Sequence, residues 1–259
     1  MDIKLQNKII SIIYNIYPLS EKDCIVLTGS RAYWFATEYS DVDIMIFTNN
    51  KKYYERTSVE KWFRRKWEEA WLEYRIDKKI LLEVKIKGYR LDEFKINPML
   101  VYWITNCNTL TNKLDFKKIK KFVKKRFTKN YEKILMWEYI NFWNEFKQMD
   151  WMIRREDKDS KINLKIQKWI VVQAIMRLWL IAQKKPYPTN KRLYHEVSKS
   201  KLWKDIAEFW NRIFAIKSFN QLQILKKEIK DFCKEHMPNR NYVSTRWTFL
   251  DEFYKIKMY

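Results

Sequence analysis

The chain has 259 residues, 47% hydrophobic and 17% aromatic, with two glycines and a formal charge of +22. That apolar content excludes a disordered chain, and the length fits one large domain or two small ones. Cys24, Cys107 and Cys233 are far apart and show no CxxC spacing, which argues against structural zinc and for a reducing compartment.

In chain order, the polar start "MDIKLQNKII" lacks a signal-peptide core. Ile9, Ile10, Ile13 and Ile16 at helical spacing predict an opening helix over 3–16. "CIVLTGS" predicts a short strand that ends at Gly29. "DVDIMIF" alternates, with Val42, Ile44 and Ile46 on one side and Asp41, Asp43 and Met45 on the other, the period of a strand. Trp62, Trp67, Trp71 and Leu72 predict a charged amphipathic helix over 55–76. "KILLEVKIKGY" predicts another strand, with Glu83 and Lys85 opposite Leu82, Val84 and Ile86.

From about residue 114 the texture becomes wholly helical. "DFKKIKKFVKKRF" places Phe116, Ile119, Val123 and Phe127 on one stripe of a basic helix. Further helices are predicted at 130–155, 161–184, 191–215 and 219–236, with Pro186 and Pro188 between the second and third. The longest apolar stretch, "WIVVQAIMRLWLIA", is too short to span a bilayer and reads as a buried helix. The expected architecture is α+β: a small mixed-sheet domain over 1–113 followed by an all-α domain over 114–259. Expected localisation is cytoplasmic, with no membrane partner. Charge follows the same division. Residues 1–113 hold 19 Lys and Arg against 15 acids, whereas 114–259 hold 34 against 16. Such a basic second half suits a polyanion, or is a lysine-rich solvated surface.

The chemistry concentrates in "LTGSRAYWFATEYSDVDIMIF". A strand that ends in Gly-Ser and turns into a helix presents backbone N–H groups to an anion, and glycine lets the chain turn sharply there. Asp41 and Asp43, at i and i+2 on a strand, share a face. Two such carboxylates repel unless a cation lies between them, and hard oxygens suit Mg²⁺ that is shared with substrate phosphates. Glu83, on another strand with the same parity, is the candidate third carboxylate. An Asp-x-Asp strand alone also fits a solvated sheet face; Gly-Ser with ten residues between it and Asp41, in a chain nearly devoid of glycine, favours the site.

This segment resembles the signature of the DNA polymerase β-like nucleotidyltransferase superfamily. Gly29, Ser30, Ala32, Ser40, Asp41 and Asp43 fall in register with it, and Trp34 departs from it where a second glycine is usual. The resemblance implies that Asp41, Asp43 and Glu83 bind Mg²⁺ or Mn²⁺. It implies that Glu83 also activates the acceptor hydroxyl, as a ligand or as a general base. Ser30 and the Gly29–Arg31 turn would hold the phosphates of an NTP co-substrate. A weaker likeness of "KKPYPTNKRL" to a segment in some relatives adds Tyr187 and Lys191 as nucleotide contacts. The implied reaction moves an NMP from an NTP to an acceptor hydroxyl and releases pyrophosphate.

For the acceptor, the basic second half favours RNA, a tRNA or other 3′ end. Lys120, Lys121, Lys124, Lys125, Arg154 and Arg155 are the candidate nucleic-acid contacts. Alternatives are a small molecule, as in antibiotic-modifying relatives, a protein, as in toxin–antitoxin relatives, or a catalytically silent nucleic-acid-binding module. Tryptophans such as Trp169 and Trp179 are expected in the core, with a smaller role as stacking platforms. His195 is given no role, and oligomeric state is not legible.

Overall fold

A computed structural model describes residues 3–16, 19–20, 23–33, 36–48, 69–76, 80–88, 97–155 and 160–237. The chain divides into two compact units, Met1–Phe94 with Trp103–Lys125, and Lys95–Tyr102 with Arg126–Tyr259. It is an α+β protein, a small mixed sheet followed by helices.

The first unit opens with α1 (Ile3–Ile16), which buries Ile9 and Ile13. β1 (Cys24–Leu27), the single turn α2 (Gly29–Ala32) and β2 (Val42–Thr48) follow, then β3 (Glu69–Arg75) and β4 (Leu81–Gly88). α3 (Pro98–Asn106), whose residues up to Tyr102 belong to the second unit, leads to the two-residue β5 (Asn108–Thr109) and the basic helix α4 (Lys113–Lys129), which belongs to the first unit as far as Lys125. Among the described residues the sheet order is β3-β4-β2-β1-β5. β2 lies at its centre, antiparallel to β1 and parallel to β4. Ile44, Met45, Ile46 and Phe47 are all buried, so both faces of β2 are covered beyond Asp43. Each such side chain contributes about 1.5–3 kcal/mol of transfer free energy. α4 buries its expected stripe of Phe116, Ile119, Val123 and Phe127, and Phe116 packs on Phe47 with ring centroids 5.5 Å apart.

The structure corrects the helix expected over 55–76. Residues 49–68 lie outside the described set, and Glu69–Arg75 form a strand antiparallel to β4. The acids and tryptophans repeat at a spacing that also fits a helix. The open edge of β4, with the alternating order of "EAWLEYR", decides for a strand.

The second unit holds α5 (Tyr131–Arg155), α6 (Ser160–Ala182), α7 (Asn190–Ser198), α8 (Trp203–Ala215) and α9 (Phe219–His236). Leu135, Phe142, Phe146, Val172, Ile175, Ile213, Leu225 and Ile229 are among its core. The single helix expected over 191–215 is two: α7 ends at Ser198 with Lys199 as its C-cap, and Leu202, at φ +55, is the left-handed residue from which α8 starts. α9 starts at a capping box in which Ser218 and Gln221 satisfy each other's backbone N–H groups. Gln167 donates to the Glu145 carbonyl and carboxylate and so ties α6 to α5. Lys168 is buried and donates to the carbonyls of Phe214 (3.0 Å) and Ile216 (2.7 Å), which closes the C-terminal end of α8. Among the described residues no helix is long and apolar enough to cross a membrane.

Candidate active site

The site grows from the junction of β1 and β2. β1 is buried throughout and stops at Thr28, whose backbone N–H and hydroxyl both donate to the Asp43 carbonyl, at 2.8 and 3.3 Å. Gly29 follows with φ +64, a left-handed conformation that disfavours any side chain. A Cβ built there would fall on the Asp43 carboxylate and lie 2.9 Å from its Cβ. The glycine therefore gives Asp43 the space its carboxylate occupies.

α2 is a single turn, and neighbouring elements hold it. Asn108 donates to the Ala32 carbonyl, and the buried Tyr33 donates its hydroxyl to the Trp103 carbonyl, both at 3.4 Å. Arg31 donates from Nε to the Ser40 carbonyl at 2.9 Å and from a terminal nitrogen to the Glu38 carbonyl at 3.4 Å. Its guanidinium thus pins the loop that delivers Asp41. The same loop closes on itself where the Thr37 N–H donates to the Ser40 hydroxyl at 2.9 Å. Ser30 is half-buried at the second position of the turn. Trp34, the departure from the motif, lies outside the described residues.

β2 leaves its covered region at the end that bears the acids: Asp43 is half-buried and Asp41 exposed. The register supplies what strand parity alone does not. Asp43 and Glu83 are direct partners on adjacent parallel strands, which lie about 4.8 Å apart in any sheet. Glu83 is half-buried, between the fully buried Leu82 and Val84. On the far side of β4, Glu73 of β3 occupies the register position opposite Glu83. Three acids thus stand in one row across β2, β4 and β3. The expected helix over 55–76 hid Glu73; the alternation of "EAWLEYR" is the signal that reveals it.

Like charges directly opposite one another destabilise a sheet, and a divalent cation relieves that. Among the described residues no three acids, histidines or cysteines stand close enough together to hold a metal ion, so Asp41, Asp43 and Glu83 do not form a three-carboxylate site by themselves. The donor set nevertheless fits Mg²⁺ or Mn²⁺. Its oxygens are hard, and Asp43 and Glu83 are paired in register with Asp41 two residues away. Mg²⁺ is commonly held by one or two carboxylates and completed by substrate phosphates and water rather than by a protein cage.

The remaining candidates lie on other elements. Lys120 on α4 is half-buried; its ammonium donates to the Cys107 carbonyl at 3.0 Å and sits 5.4 Å from the Phe116 ring centroid. Lys121, Lys124 and Lys125 are exposed on the outer side of the same helix. In the second unit Arg154 makes a two-point ion pair with Asp150, at 3.0 and 3.3 Å, and covers the Phe219 ring at 4.2 Å. Arg155 ends α5, and Lys191 is exposed in the first turn of α7. Tyr187 donates to the buried Glu138 at 2.6 Å; burial and that carboxylate push the phenol far above its usual range. Arg177 stands 3.9 Å from the other Glu138 oxygen. Trp179 is in the core, as expected, and donates to Ser200 and to the Lys201 carbonyl. Trp169 is not; it is 45% exposed.

The glycine turn and the register pair of acids thus meet at one end of the central strand. Residues 7–99 match the nucleotidyltransferase domain family, in agreement with the resemblance of the Gly29–Asp43 segment to the polymerase β-like nucleotidyltransferase superfamily. A crystal structure of a nucleotidyltransferase-like protein from Exiguobacterium sibiricum is similar to this chain at 10% identity, with a TM-score of 0.48. The match covers 90% of this chain and 78% of the other. No curated protein matches the chain.

Proposed function

We propose that the chain transfers a nucleoside monophosphate from an NTP to an acceptor hydroxyl, with an RNA 3′ end as acceptor. The observation that carries this reading is the register pair of Asp43 and Glu83, with Asp43 seated against Gly29. Asp41, Asp43 and Glu83 would hold Mg²⁺ or Mn²⁺, which supplies charge neutralisation at the reacting phosphate when bound. Ser30 and the amides of the Gly29–Arg31 turn hold the leaving phosphates. Thr28 fixes the Asp43 backbone, and Arg31 fixes the start of β2. The acceptor oxygen forms a bond to the α-phosphorus, the bond from that phosphorus to the bridging oxygen breaks, and pyrophosphate leaves. Glu83 serves the acceptor hydroxyl, as a ligand or as the base that takes its proton. The RNA acceptor is supported by the basic surplus of residues 114–259 and by the exposed lysines of α4.

The test is incubation with each NTP and dNTP labelled at the α-phosphate, with Mg²⁺ or Mn²⁺ and with total RNA, single-stranded DNA or no acceptor. Label is expected on RNA, and Asp41→Ala and Asp43→Ala are each expected to lower it below about a hundredth. Thermal melts should show both variants folded. Higher residual activity in a folded variant would refute the acid-pair mechanism. Label on protein or on a small molecule, and none on RNA, would refute the acceptor.

A further inference from the structure

The second unit exposes an aromatic surface that core formation does not explain. On α6, Ile162, Ile166 and Trp169 fall at i, i+4 and i+7, one stripe of the helix, and all three are exposed. Trp169 meets Trp210 of α8 at 6.2 Å between ring centroids and Phe214 at 6.1 Å. Trp210 in turn meets Tyr194 of α7 at 5.2 Å. The four rings form a continuous series across three helices, and Tyr194 (50%), Trp169 (45%) and Phe214 (41%) keep about half their surface in water.

Leaving this much aromatic surface hydrated has a cost that a folded chain avoids unless the surface meets a partner. Charge indicates which one. Lys161 and Lys165 stand beside the stripe on α6, Lys191 one turn before Tyr194, and Lys217 just beyond Phe214; all are exposed. Lysine is depleted where proteins meet proteins, and two copies that each carry +22 repel. Rings that offer π-faces, rimmed by cations, match a strand whose bases are unpaired and whose backbone is anionic. Duplex nucleic acid hides its base faces and cannot use the rings.

We infer that the face formed by Trp169, Trp210, Phe214 and Tyr194 binds single-stranded nucleic acid by base stacking, with the rim lysines on its phosphates. The inference rests on the RNA-acceptor reading only in that such a strand would carry the acceptor end.

The experiment uses the full chain, a short fluorescein-labelled oligouridylate and its duplex with oligoadenylate, with affinity read by anisotropy over a range of salt. Trp169→Ala and Tyr194→Ala are each expected to weaken single-strand binding by on the order of ten-fold. Duplex affinity and the salt slope should stay unchanged in both. Trp169→Phe should restore most of the affinity. Lys165→Gln with Lys217→Gln should lower the salt slope by about 0.7 per lysine. Both aromatic positions are exposed, and thermal melts check that the variants fold. Single-strand affinity unchanged in Trp169→Ala overturns the inference. A wild-type dimer that Trp169→Ala converts to monomer, with RNA affinity untouched, overturns it too and makes the face a contact between copies. Label transfer on the same preparations separates the two readings. Affinity lost in Trp169→Ala without transfer in the wild type supports the face and refutes the reaction. Transfer to RNA with affinity intact in the variant refutes the face alone.

Discussion

Gly29→Ala tests the site at its tightest point. The residue has φ +64, where an L side chain costs about 1–2 kcal/mol. The added Cβ also falls on the Asp43 carboxylate, so Asp43 must move. Its backbone cannot follow easily, because Thr28 grips its carbonyl twice and Val42 and Ile44 on either side are buried. Overpacking of this kind costs about 1–3 kcal/mol, which brings the expected destabilisation to about 2–5 kcal/mol. The clash should vanish in part when its partner is shortened. In an Asp43→Ala background the carboxylate is gone, Cβ remains at 2.9 Å, and the cost of Gly29→Ala should fall toward the backbone strain alone. A double-mutant cycle by urea denaturation should therefore return a coupling of at least about 1 kcal/mol. Transfer by Gly29→Ala, assayed with labelled NTP below its melting temperature, should drop about a hundred-fold, because the carboxylate leaves its seat. Additive stabilities, or a Gly29→Ala variant with full activity, would refute the claim that this glycine exists to make room for Asp43.

Lys120 and its neighbours should behave differently. Lys120→Glu loses a charged hydrogen bond to Cys107 and should destabilise by about 1.5–3 kcal/mol in thermal melts. Lys121→Glu and Lys125→Glu should leave stability alone and lower the salt slope of RNA binding by about 0.7 each; an unchanged slope would make that face merely solvated. Burial raises the Glu138 carboxyl above its ordinary 4.5 against the opposing pull of Tyr187 and Arg177. The folded chain then holds a proton that the unfolded chain has released, so this group's contribution to stability falls as pH rises past 4.5. Glu138→Gln should flatten that fall, and a pH series of melting curves with the wild-type slope would refute it. Lys168→Met leaves two buried carbonyls without their donor and should destabilise by about 2 kcal/mol or more; a melting curve unchanged from wild type would show that those bonds contribute nothing net.

The parts of the fold with a single consistent signal were legible. The alternation of Asp41 to Ile46 gives a strand, and Phe116, Ile119, Val123 and Phe127 give the buried side of α4. What failed was decided by pairing across the chain. Glu69–Arg75 carries spacing that suits a helix, and its strand state depends on pairing with β4, which starts at Leu81. Parity placed Glu83 on the acid side of its strand but not next to Asp43, because strand order is a tertiary fact. α6 is apolar on most sides, so its sequence does not say that Trp179 faces in and Trp169 faces out. The partners of the basic residues are equally unmarked, because a backbone carbonyl leaves no trace in the sequence. Arg31 serves the carbonyls of Ser40 and Glu38, and Lys120 serves that of Cys107.

The row formed by Asp43, Glu83 and Glu73 is where the first unit departs from what folding alone favours. Asp43 and Glu83 are direct register partners on neighbouring strands, and like charges so placed cost about 0.2–1 kcal/mol where nothing offsets them. Positions farther along β2 are buried and apolar, so the acids occupy the one part of the central strand that is not covered on both faces. The same end has one of the chain's two glycines in a strained turn, shaped around a carboxylate. Local rules broken together at one place, in an otherwise consistent sheet, point to chemistry there rather than to accident. On the proposed function, a cation with its substrate phosphates would change the sign of the problem, because carboxylates that repel one another would then serve as its ligands.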